Sequence, residues 1–427
     1  MEQEKKLFKE VNEGYTMHEA IEEAKRCLHC KVPQCKKGCP ISHDIPDWIH
    51  ELSMGNFGNA MHIINENSNL PAVCGRVCPH EKQCEGHCVL GKKGQGIHVG
   101  KLERFLADFD GNMGLIREKL QPKTRGRVAV IGSGPAGLTI AIILQRYGYN
   151  VTIFEGKDKI GGVLRYGIPE FRLPKSVLDD IQYRHLELKG IKIRTNTLIG
   201  GAIGIDDLFR DGYKAIFVGT GVWKPNSLHI KGETFGNVHF GINYLNNPDS
   251  YRLGENVIVI GAGNAAMDVA RTAMRKGSRN ITCFSITKEV AASHYEFSYA
   301  QLEGVRFEYN KKPVEITDDG VIFCDVIENE DGSFTEVENS NTLYPADSVI
   351  ISISQGPMSR IVNSTNGLKA NNRGLLESDE TGHTSRPGIF ASGDVIYGAR
   401  TVVEAVAHSK IVAESMHEYM QSLPKEG

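Results

Sequence analysis

The sequence predicts an α/β protein with two dinucleotide-binding domains of the Rossmann type, preceded by a helical domain rich in cysteine. Three observations support this fold class. Eight of the ten cysteines lie between Cys27 and Cys88. Two strand–glycine–helix patterns follow, one from Val128 and the other from Asn256. Because apolar strands alternate with helices from Arg127 onwards, we expect parallel sheets.

The composition narrows the classes of protein to consider. The chain has 427 residues, more than one ordinary hydrophobic core accommodates, so we expect several domains. A formal net charge of -3 with 24% charged residues excludes a strongly basic surface for nucleic acid and an acidic tail. The first residues lack the apolar core of a secretory signal, and glycines and Pro135 interrupt the longest uncharged stretch, 128–144. We therefore expect a cytoplasmic protein that does not insert into a membrane.

The cysteines of the N-terminal segment have the spacing of metal ligands. They are Cys27, Cys30, Cys35 and Cys39, followed by Cys74, Cys78, Cys84 and Cys88. Thiolates two to five residues apart can converge on one soft metal centre, and cysteine followed by proline is typical of bacterial ferredoxins. Two iron–sulfur clusters are therefore predicted, and a structural zinc site is the alternative. Three histidines lie among these cysteines, namely His29, His80 and His87. They are predicted to be exposed loop residues, and a role as ligands is the alternative.

Two local signals concern the remaining cysteines and the first helix. Thr16 and Glu19 form a capping box, so a helix is predicted to begin there and to deliver Cys27 to its C-terminal end. Cys283 and Cys324 lie in apolar runs that are typical of strands. We expect both to be buried structural thiols.

A complete dinucleotide-binding fingerprint begins at Val128. An apolar strand runs into a glycine-rich turn and a helix, and the next strand ends at Glu155. The turn consists of Gly132, Ser133, Gly134, Pro135, Ala136 and Gly137. The first glycine permits a tight turn, the second lets a pyrophosphate approach the helix N-terminus, and the third lets the helix pack closely. Glu155 can accept hydrogen bonds from ribose hydroxyls, so strand, glycines, helix and acid all indicate a dinucleotide site.

A later strand also indicates a flavin site. The apolar run 388–391 is followed by Gly393 and Asp394, and a helix is predicted from Thr401. In flavoproteins with two dinucleotide folds, such a Gly-Asp pair contacts the phosphate and ribityl part of FAD. The following helix directs its positive N-terminus at the flavin and stabilises an anionic reduced ring. We therefore expect these residues to bind FAD, and the alternative for Asp394 is helix capping.

The second glycine pattern repeats the first with alanine in the third glycine position. It consists of Gly261, Ala262, Gly263, Asn264, Ala265 and Ala266, after the strand 257–260. The next predicted strand, 281–286, carries Phe284 and Ser285 where an acid would favour NAD and an arginine would favour NADP. Lys288 is close enough in sequence to meet a 2′-phosphate, and a solvated surface lysine is the alternative.

These motifs resemble the glutamate synthase small-subunit family of FAD- and iron–sulfur-containing oxidoreductases. That family also includes the N-terminal half of dihydropyrimidine dehydrogenase and the large subunit of NADH-dependent ferredoxin:NADP oxidoreductase. The resemblance spans nearly the whole chain and rests on the cysteine runs and on the segments 74–79, 161–169 and 261–268. It implies a helical domain with two 4Fe-4S clusters (1–122), an FAD-binding domain in two parts (123–240 and 346–427) and an NAD(P)H-binding domain (241–345).

The resemblance also implies which residues hold each cofactor. One cluster would use Cys27, Cys30, Cys35 and Cys88, and the other would use Cys39, Cys78, Cys84 and Glu103. Cys74 then becomes a non-ligand, although its spacing alone would favour it over a glutamate. Gly161, Gly162 and Pro169 would shape the flavin pocket. Thr220 and Gly221, together with Gln355, Gly356 and Pro357, would line the nicotinamide side.

One departure from the family pattern concerns the nicotinamide nucleotide. The family's strand-end tyrosine and arginine, which bind the NADPH phosphate, correspond here to Phe284, Ser285 and Ile286. The resemblance therefore implies an NAD(P)H oxidoreductase subunit without strong NADPH preference, which exchanges electrons with a partner subunit that completes the reaction. Two alternatives are an electron-bifurcating flavoprotein subunit and a zinc-stabilised nucleotide-binding module without redox chemistry.

Overall fold

The computed structural model describes residues 7–115 and 121–424. The helices before the first sheet are α1 (Met17–Lys25), α2 (Gln34–Gly38), α3 (Ile45–Ser53), α4 (Phe57–Asn67), α5 (Pro71–Val77) and α6 (Val99–Met113). Those that follow are α7 (Pro135–Arg146), α8 (Val163–Tyr166), α9 (Lys175–Asp180), α10 (Ile205–Arg210), α11 (Gly241–Asn246), α12 (Asn264–Arg275), α13 (His294–Leu302), α14 (Arg360–Ser364), α15 (Asp394–Tyr397) and α16 (Val402–Ser422). A π-helical segment, Ile181–Glu187, continues α9.

The strands alternate with these helices from Arg127 onwards. They are β1 (Arg127–Ile131), β2 (Asn150–Phe154), β3 (Lys192–Arg194), β4 (Tyr213–Val218), β5 (Lys224–Pro225), β6 (Val238–Phe240), β7 (Asn256–Ile260), β8 (Asn280–Phe284), β9 (Arg306–Glu308), β10 (Lys311–Thr317), β11 (Gly320–Glu328), β12 (Phe334–Glu336), β13 (Thr342–Pro345), β14 (Ser348–Ile351), β15 (Gln355–Gly356) and β16 (Ile389–Ala391).

The chain folds into two compact units, and each is made of separate stretches of sequence. The first unit comprises Met1–Lys9, Tyr166–Phe171 and Trp223–Gly356, and its description starts at Leu7. The second unit comprises Glu10–Arg165, Arg172–Val222 and Pro357–Gly427. The finer division at residues 122, 240 and 345 stays a prediction.

The helical part of the second unit surrounds a core of its own. Helix α1 begins at the N-cap Thr16, whose side chain accepts from the main-chain N–H of Glu19, while the Glu19 carboxylate accepts from that of Thr16. The predicted capping box is therefore confirmed. Trp48 and Ile49 from α3 pack with Leu102 from α6, and the cysteine-bearing loops lie against this cluster. The core thus fixes the loops that carry the thiols.

The second unit also contains a parallel five-stranded sheet in the order β16-β4-β1-β2-β3. Helix α7 follows β1, and its residues from Pro135 to Gln145 are all buried. This burial explains why the stretch 128–144 is uncharged, since both the strand and the helix belong to the interior. Pro135 lies in the first turn of α7. Main-chain N–H groups in this turn have no acceptor within the helix, so proline costs no helical hydrogen bond here.

The first unit has a second parallel sheet in the order β6-β14-β7-β8-β9. It also contains an antiparallel sheet, in which β11 pairs with β10, β12 and β13, and a short ribbon of β15 and β5. Cys283 on β8 and Cys324 on β11 are both buried, as predicted. Across the described residues, no helix is long and apolar enough to cross a membrane.

Candidate functional site

Four of the N-terminal cysteines line one cavity, and we call them the outer cysteine site. They are Cys27, Cys30, Cys35 and Cys88, the set implied for one cluster. The rest of the lining is mostly apolar and comes from the neighbouring helices and loops, for example Ile45, Ile49, Val89 and Val99. An apolar cavity with several thiols at its wall suits an inorganic cluster, because thiolates bind soft metal ions and the apolar shell limits solvent access.

Main-chain N–H groups already point at the sulfurs of this site. The N–H of His29 donates to the thiol of Cys27, and the N–H of Lys36 donates to that of Cys35. Burial raises the pKa of the Cys27 thiol above its ordinary range, and burial raises the pKa of Cys35 to about 11. Neutral thiols are therefore favoured until a cation binds, and the N–H groups would then stabilise the bound thiolates.

The remaining N-terminal cysteines lie together in a second group, and Glu103 joins them. We call Cys39, Cys78, Cys84 and Glu103 the inner cysteine site. The charge of Glu103 acts on all three thiols, and their neighbours and burial together raise the pKa of each. Cys74 is buried beside Cys78 and raises its pKa. Glu103 and Cys74 are therefore electrostatic neighbours of this group, and the role of Cys39, Cys78, Cys84 and Glu103 as ligands stays a prediction.

The Glu103 carboxylate fits a ligand role on structural grounds. Its side chain belongs to helix α6 and is only 6% exposed, and burial raises the pKa of Glu103 to about 8. Its Oε1 atom has no hydrogen-bond partner within the described residues. A buried carboxylate oxygen without a partner is costly, and a bound metal ion would satisfy it. Among the described residues, no three donors are close enough to hold a single metal ion.

One prediction for the histidines is wrong. His29 and His87 are exposed, as predicted, but His80 is half-buried, and its Nε2 atom is buried and has no partner within the described chain. Burial lowers the pKa of His80 to about 4. Its ring lies against Gly100, where an added Cβ would come within 2.4 Å of the His80 Cε1 atom. The sequence pattern suggested a loop, and the helix that covers the ring is distant in sequence.

The first glycine turn has the geometry of a pyrophosphate site. Gly132 adopts φ +95°, and a Cβ at this position would lie 2.5 Å from the carbonyl oxygen of Gly219. A Cβ at Gly137 would lie 2.0 Å from the carbonyl oxygen of Gly132. At Gly134, in contrast, an added Cβ would meet nothing within 4 Å. The open space therefore lies at the N-terminus of α7, where Pro135 and Ala136 begin the helix and a phosphate would bind.

Glu155 is held in place by its own hydrogen bonds. Its Oε2 accepts from the N–H of Ser133 at 3.0 Å, and its Oε1 accepts from the N–H of Lys157 at 2.8 Å. The Ser133 hydroxyl also bonds this carboxylate and accepts from the N–H of Gly161 at 3.0 Å. A carboxylate has about four acceptor positions, and these three donors leave about one for a ribose hydroxyl. The turn pattern included Ser133 but did not predict that its hydroxyl connects the acid to the Gly161-Gly162 turn.

The turn at Gly161 and Gly162 closes over the glycine-rich loop. Both residues have positive φ, and a Cβ at Gly162 would lie 2.9 Å from the Cα of Gly134. Neither position tolerates a side chain without a backbone shift. Pro169 follows farther along the chain and belongs to the first unit.

The predicted Gly-Asp pair lies directly after β16. Gly393 has φ +76°, and Asp394 begins the short helix α15 and accepts from the N–H of Arg400 at 3.2 Å. Burial raises the pKa of Asp394 to about 6. Thr401 is the N-cap of α16 and forms a capping box with Glu404. The Gly-Asp pair and the N-terminus of α16 therefore both follow β16 of the five-stranded sheet that carries the first glycine turn, which we call the flavin-type sheet.

The second glycine turn repeats this geometry in the first unit. A Cβ at Gly261 would lie 2.3 Å from the carbonyl oxygen of Ser352, whereas a Cβ at Gly263 would meet nothing within 4 Å. Asn264 begins helix α12, and its Oδ1 accepts from the N–H of Ser293 at 2.8 Å. Ala265 and Ala266 continue the helix. Open space again lies at a helix N-terminus, as a dinucleotide requires.

The residues after β8 form a small hydroxyl cluster. The strand ends at Phe284, two residues earlier than expected, so Ser285 is the first residue beyond it. The Ser285 Oγ lies 2.9 Å from the Thr287 Oγ1, which donates to the carbonyl oxygen of Glu289 at 2.6 Å. Lys288 is exposed. The cluster offers hydroxyls beside one exposed cation, and its role in binding the nucleotide stays a prediction.

The residues expected on the nicotinamide side lie after two different strands. Thr220 and Gly221 follow β4 in the second unit, and Gly221 has φ +66°. Gln355 and Gly356 form β15 in the first unit and pair with β5. Pro357 is the first residue of the next stretch of the second unit. Their role at the nicotinamide stays a prediction.

Two family models match this chain. Residues 3–115 match the family model described as dihydropyrimidine dehydrogenase domain II, 4Fe-4S cluster. Residues 126–409 match the model described as pyridine nucleotide-disulphide oxidoreductase, as does the shorter range 98–209. The FprA protein of Mycobacterium tuberculosis in complex with NADPH superimposes with a TM-score of 0.58 at 15% identity, over 70% of this chain and 85% of that one. This structural likeness supports the fold class.

Two curated relatives extend over almost the entire chain. The glutamate synthase (NADPH) small chain of Halomonas elongata is 33% identical over 444 residues, which cover 97% of this chain and 94% of that protein. The NAD-dependent dihydropyrimidine dehydrogenase subunit PreT homolog of Salmonella typhi is 34% identical over 418 residues, covering 96% and 97%.

The fold and the sites define a pyridine nucleotide-dependent oxidoreductase with FAD and 4Fe-4S iron–sulfur chemistry. The predicted fold class is confirmed: two dinucleotide-binding domains follow an iron–sulfur domain in the sequence. The chain belongs to the glutamate synthase small-chain family of FAD- and iron–sulfur-containing NAD(P)H oxidoreductase subunits. These relatives do not favour the zinc-stabilised module or the electron-bifurcating alternative.

Proposed function

We propose that this protein transfers electrons between NAD(P)H and a partner subunit through FAD and two 4Fe-4S clusters. The observation that carries the proposal is the pair of cysteine sites in one helical domain, each with four donors. The outer cysteine site lines a single cavity. The inner cysteine site combines three thiols with the buried, partnerless carboxylate oxygen of Glu103. Eight donors in two groups support two clusters of four irons each.

The residues of the two glycine turns support different nucleotides. In the second unit, the free space at Gly134 and the fixed carboxylate of Glu155 would bind the pyrophosphate and ribose of FAD. In the first unit, the free space at Gly263 would admit the pyrophosphate of NAD(P)H. Bound FAD would supply the conversion of a two-electron hydride into single electrons, which iron–sulfur clusters accept.

The helix α16 connects the flavin-type sheet with the inner cysteine site. Its N-terminus follows Gly393 and Asp394, and its positive end would stabilise negative charge on a reduced flavin. The same helix packs against α5, which carries Cys74. Lys410 on α16 bonds Asn67 of the helical domain, and the pKa of Lys410 responds to Cys39. We therefore assign the inner site to the flavin side and the outer site to the partner side.

The partner and the preferred nucleotide remain part of the proposal. The two relatives are named as a small chain and as a subunit, which supports a larger assembly for this protein. One of them is named for NADPH and the other for NAD. The hydroxyl cluster of Ser285 and Thr287 lacks an arginine, which supports use of both nucleotides. We also propose the cytoplasm as its location.

The decisive experiment is a cofactor analysis of protein purified without oxygen. We expect one FAD, about eight irons and about eight sulfides per chain, as two 4Fe-4S clusters require. NAD(P)H should bleach the flavin absorbance and produce the electron paramagnetic resonance signals of reduced clusters. About four irons, a stoichiometric zinc or clusters that stay oxidised would contradict the proposal.

A further inference from the structure

The outer cysteine site lies at the protein surface. Leu28 lines its cavity and is 60% exposed, and Val32, between Cys30 and Cys35, is 61% exposed. These two side chains present apolar surface to solvent beside the cavity. Cys30 and Cys35 are themselves only partly buried. The edge of the site is therefore accessible to a second protein.

Lysines lie in the two chain segments that contribute to this cavity. The cavity-lining segments 28–37 and 89–96 contain Lys31, Lys36, Lys37, Lys92 and Lys93 and no acidic residue. Lys36 forms an ion pair with Asp44, and the other four lysines are exposed. The exposed acid Asp47, in the first turn of α3, offsets only part of their charge. Because the whole chain has a formal net charge of -3, this positive surface is a local feature.

We propose that this surface, defined by Leu28, Val32, Lys31, Lys37, Lys92 and Lys93 and called the basic face, docks an acidic electron-transfer protein or subunit. The inference rests on the proposed function and adds the place and the chemistry of the partner contact. The carboxylates of the partner would face the lysines, and its apolar centre would pack on Leu28 and Val32. Electrons would then pass between the outer site and the partner over a short distance.

The arrangement has the properties of a transient redox interface. Such interfaces are small, and opposite charges on their rims accelerate the encounter without adding much affinity. Steering of this kind raises association rates by about ten- to a thousandfold and weakens steeply with ionic strength. An apolar centre excludes water once the partners have met. Four exposed lysines and two exposed apolar side chains in the segments that line a thiol-bearing cavity match these requirements.

Two small electron carriers of opposite charge test the inference directly. Rubredoxin is acidic and cytochrome c is basic, and each accepts one electron at its iron. The oxidation of one NAD(P)H would give NAD(P)⁺, one proton and two carriers reduced from Fe³⁺ to Fe²⁺. With the anaerobic holoprotein, the rate of rubredoxin reduction should fall at least about tenfold between low and high salt, whereas cytochrome c reduction should accelerate.

Charge-reversal variants assign the effect to the basic face. We expect Lys92→Glu with Lys93→Glu to slow rubredoxin reduction about tenfold or more at low salt. Lys92→Arg with Lys93→Arg should retain the rate, because the charge is kept. Lys369→Glu provides a matched control, since Lys369 is exposed and lies outside the cavity lining. Iron and flavin content are measured for every variant.

A binding measurement gives a second readout that does not depend on turnover. A carbodiimide joins lysines to carboxylates that touch them, so oxidised rubredoxin should be cross-linked to peptides with Lys31, Lys37, Lys92 or Lys93. Cross-links elsewhere, or rates that respond equally to salt for both carriers, would overturn the inference. Binding of the basic face to phosphatidylserine vesicles without any effect on rubredoxin would overturn it as well.

The outcome distinguishes this inference from the proposed function. The proposed function alone is tested by adding NAD(P)H in the absence of any electron carrier and monitoring cluster reduction by electron paramagnetic resonance. If the clusters are reduced and the carriers show no charge dependence, only the docking surface is wrong. If the clusters are not reduced but rubredoxin is cross-linked to the four lysines, the docking surface holds and the proposed electron path is wrong.

Discussion

The ammonium group of Lys410 donates to the main-chain carbonyl oxygen of Asn67 at 2.9 Å, although 343 positions separate the two residues in sequence. Lys410 belongs to helix α16, which follows strand β16 of the flavin-type sheet. Asn67 is the last residue of helix α4 in the helical domain. Burial lowers the pKa of Lys410, whereas Cys39 and Asp44 raise it. A half-buried cation therefore lies within electrostatic reach of the inner cysteine site.

Removal of this cation should change one cluster and leave the other unaffected. A positive charge favours the more negative, reduced state of a cluster, so Lys410→Met is expected to lower the midpoint potential of the inner site. An interaction of about 1.4 kcal/mol corresponds to roughly 59 mV for one electron. A redox titration monitored by electron paramagnetic resonance measures the midpoint potential of each cluster separately. Lys410→Arg should restore most of the potential, and an equal shift of both clusters would contradict the assignment.

Two glycine substitutions should separate flavin binding from nicotinamide binding. Gly134→Ala and Gly263→Ala each place a methyl group in free space, so both variants should fold normally. The first is expected to bind FAD at least about tenfold more weakly, since a lost charged contact is worth about 1.5–3 kcal/mol. The second should keep its flavin and bind NAD(P)H more weakly. Flavin content and stopped-flow reduction measure the two effects.

Gly137→Ala is the contrasting variant for this pair. Its methyl group would lie 2.0 Å from the carbonyl oxygen of Gly132, so the helix must shift away from β1. We expect a loss of folded protein, visible in far-ultraviolet circular dichroism, together with the loss of flavin. Gly137→Ala protein that folds as well as Gly134→Ala would show that the turn is more adaptable than these distances indicate.

Glu103 and Cys74 should respond differently to substitution. Glu103→Ala removes the proposed oxygen ligand and is expected to lower the iron content by about four atoms per chain, or to convert the inner cluster to a smaller species. Cys74→Ser should keep both clusters. Iron analysis and paramagnetic resonance measure the result. The reverse outcome, with a cluster lost only in Cys74→Ser, would assign the fourth ligand to the thiol.

His43 should make the protein less stable in acid. Its side chain is 2% exposed, and burial lowers the pKa of His43 to about 4. Because the unfolded chain binds a proton near pH 6.5 and the folded chain does not, the free energy of unfolding falls as the pH drops from about 6.5 to about 4. At pH 5 the loss is about 2 kcal/mol for these two values.

Urea unfolding of His43→Gln at pH 7.5 and pH 5 tests this linkage. The variant should lose about 2 kcal/mol less than the unaltered protein between the two pH values. His62→Gln is the control, because the His62 side chain is 65% exposed. Equal pH dependence in all three proteins would show that other groups dominate the acid response.

The local patterns of the sequence predicted much of this fold. The capping box of Thr16 and Glu19, the strand before Gly132 and the burial of Cys283 depend on residues close together in the chain, and all three are present. Periodicity and glycine spacing report such local structure directly. The resemblance to a family then supplied the expected division of distant cysteines into two sets of cluster ligands.

Long-range packing could not be predicted in this way. The imidazole of His80 lies against Gly100 on a helix distant in sequence, and Lys410 bonds Asn67 over most of the chain. In the first unit, Phe171 lies with its ring centroid 4.0 Å from the Arg275 guanidinium carbon. No periodic pattern connects such residues, because their proximity depends on how complete elements pack.

The nicotinamide preference can be measured and then changed. We expect NADPH and NADH to reduce the flavin with efficiencies that differ by less than about a thousandfold, since Ser285 and Ile286 provide no bidentate cation. Ile286, beyond β8, is 36% exposed. Ile286→Arg should raise the relative preference for NADPH by about tenfold to a hundredfold. Anaerobic stopped-flow reduction with each nucleotide decides both points, and an unchanged ratio would mean that the phosphate binds elsewhere.

The pairing of β16 with β4 has a consequence for how the protein is made. The complete stretch Trp223–Gly356 lies between these neighbouring strands, so the ribosome synthesises β16, Gly393 and Thr401 after the whole first unit. A nascent chain that has emerged only as far as Val222 has its cysteines and its first glycine turn but lacks an edge strand of the sheet. Because Gly393 and Thr401 are predicted to bind FAD, we expect stable flavin uptake to wait for late synthesis, whereas we expect the helical domain to begin folding on the emerging chain.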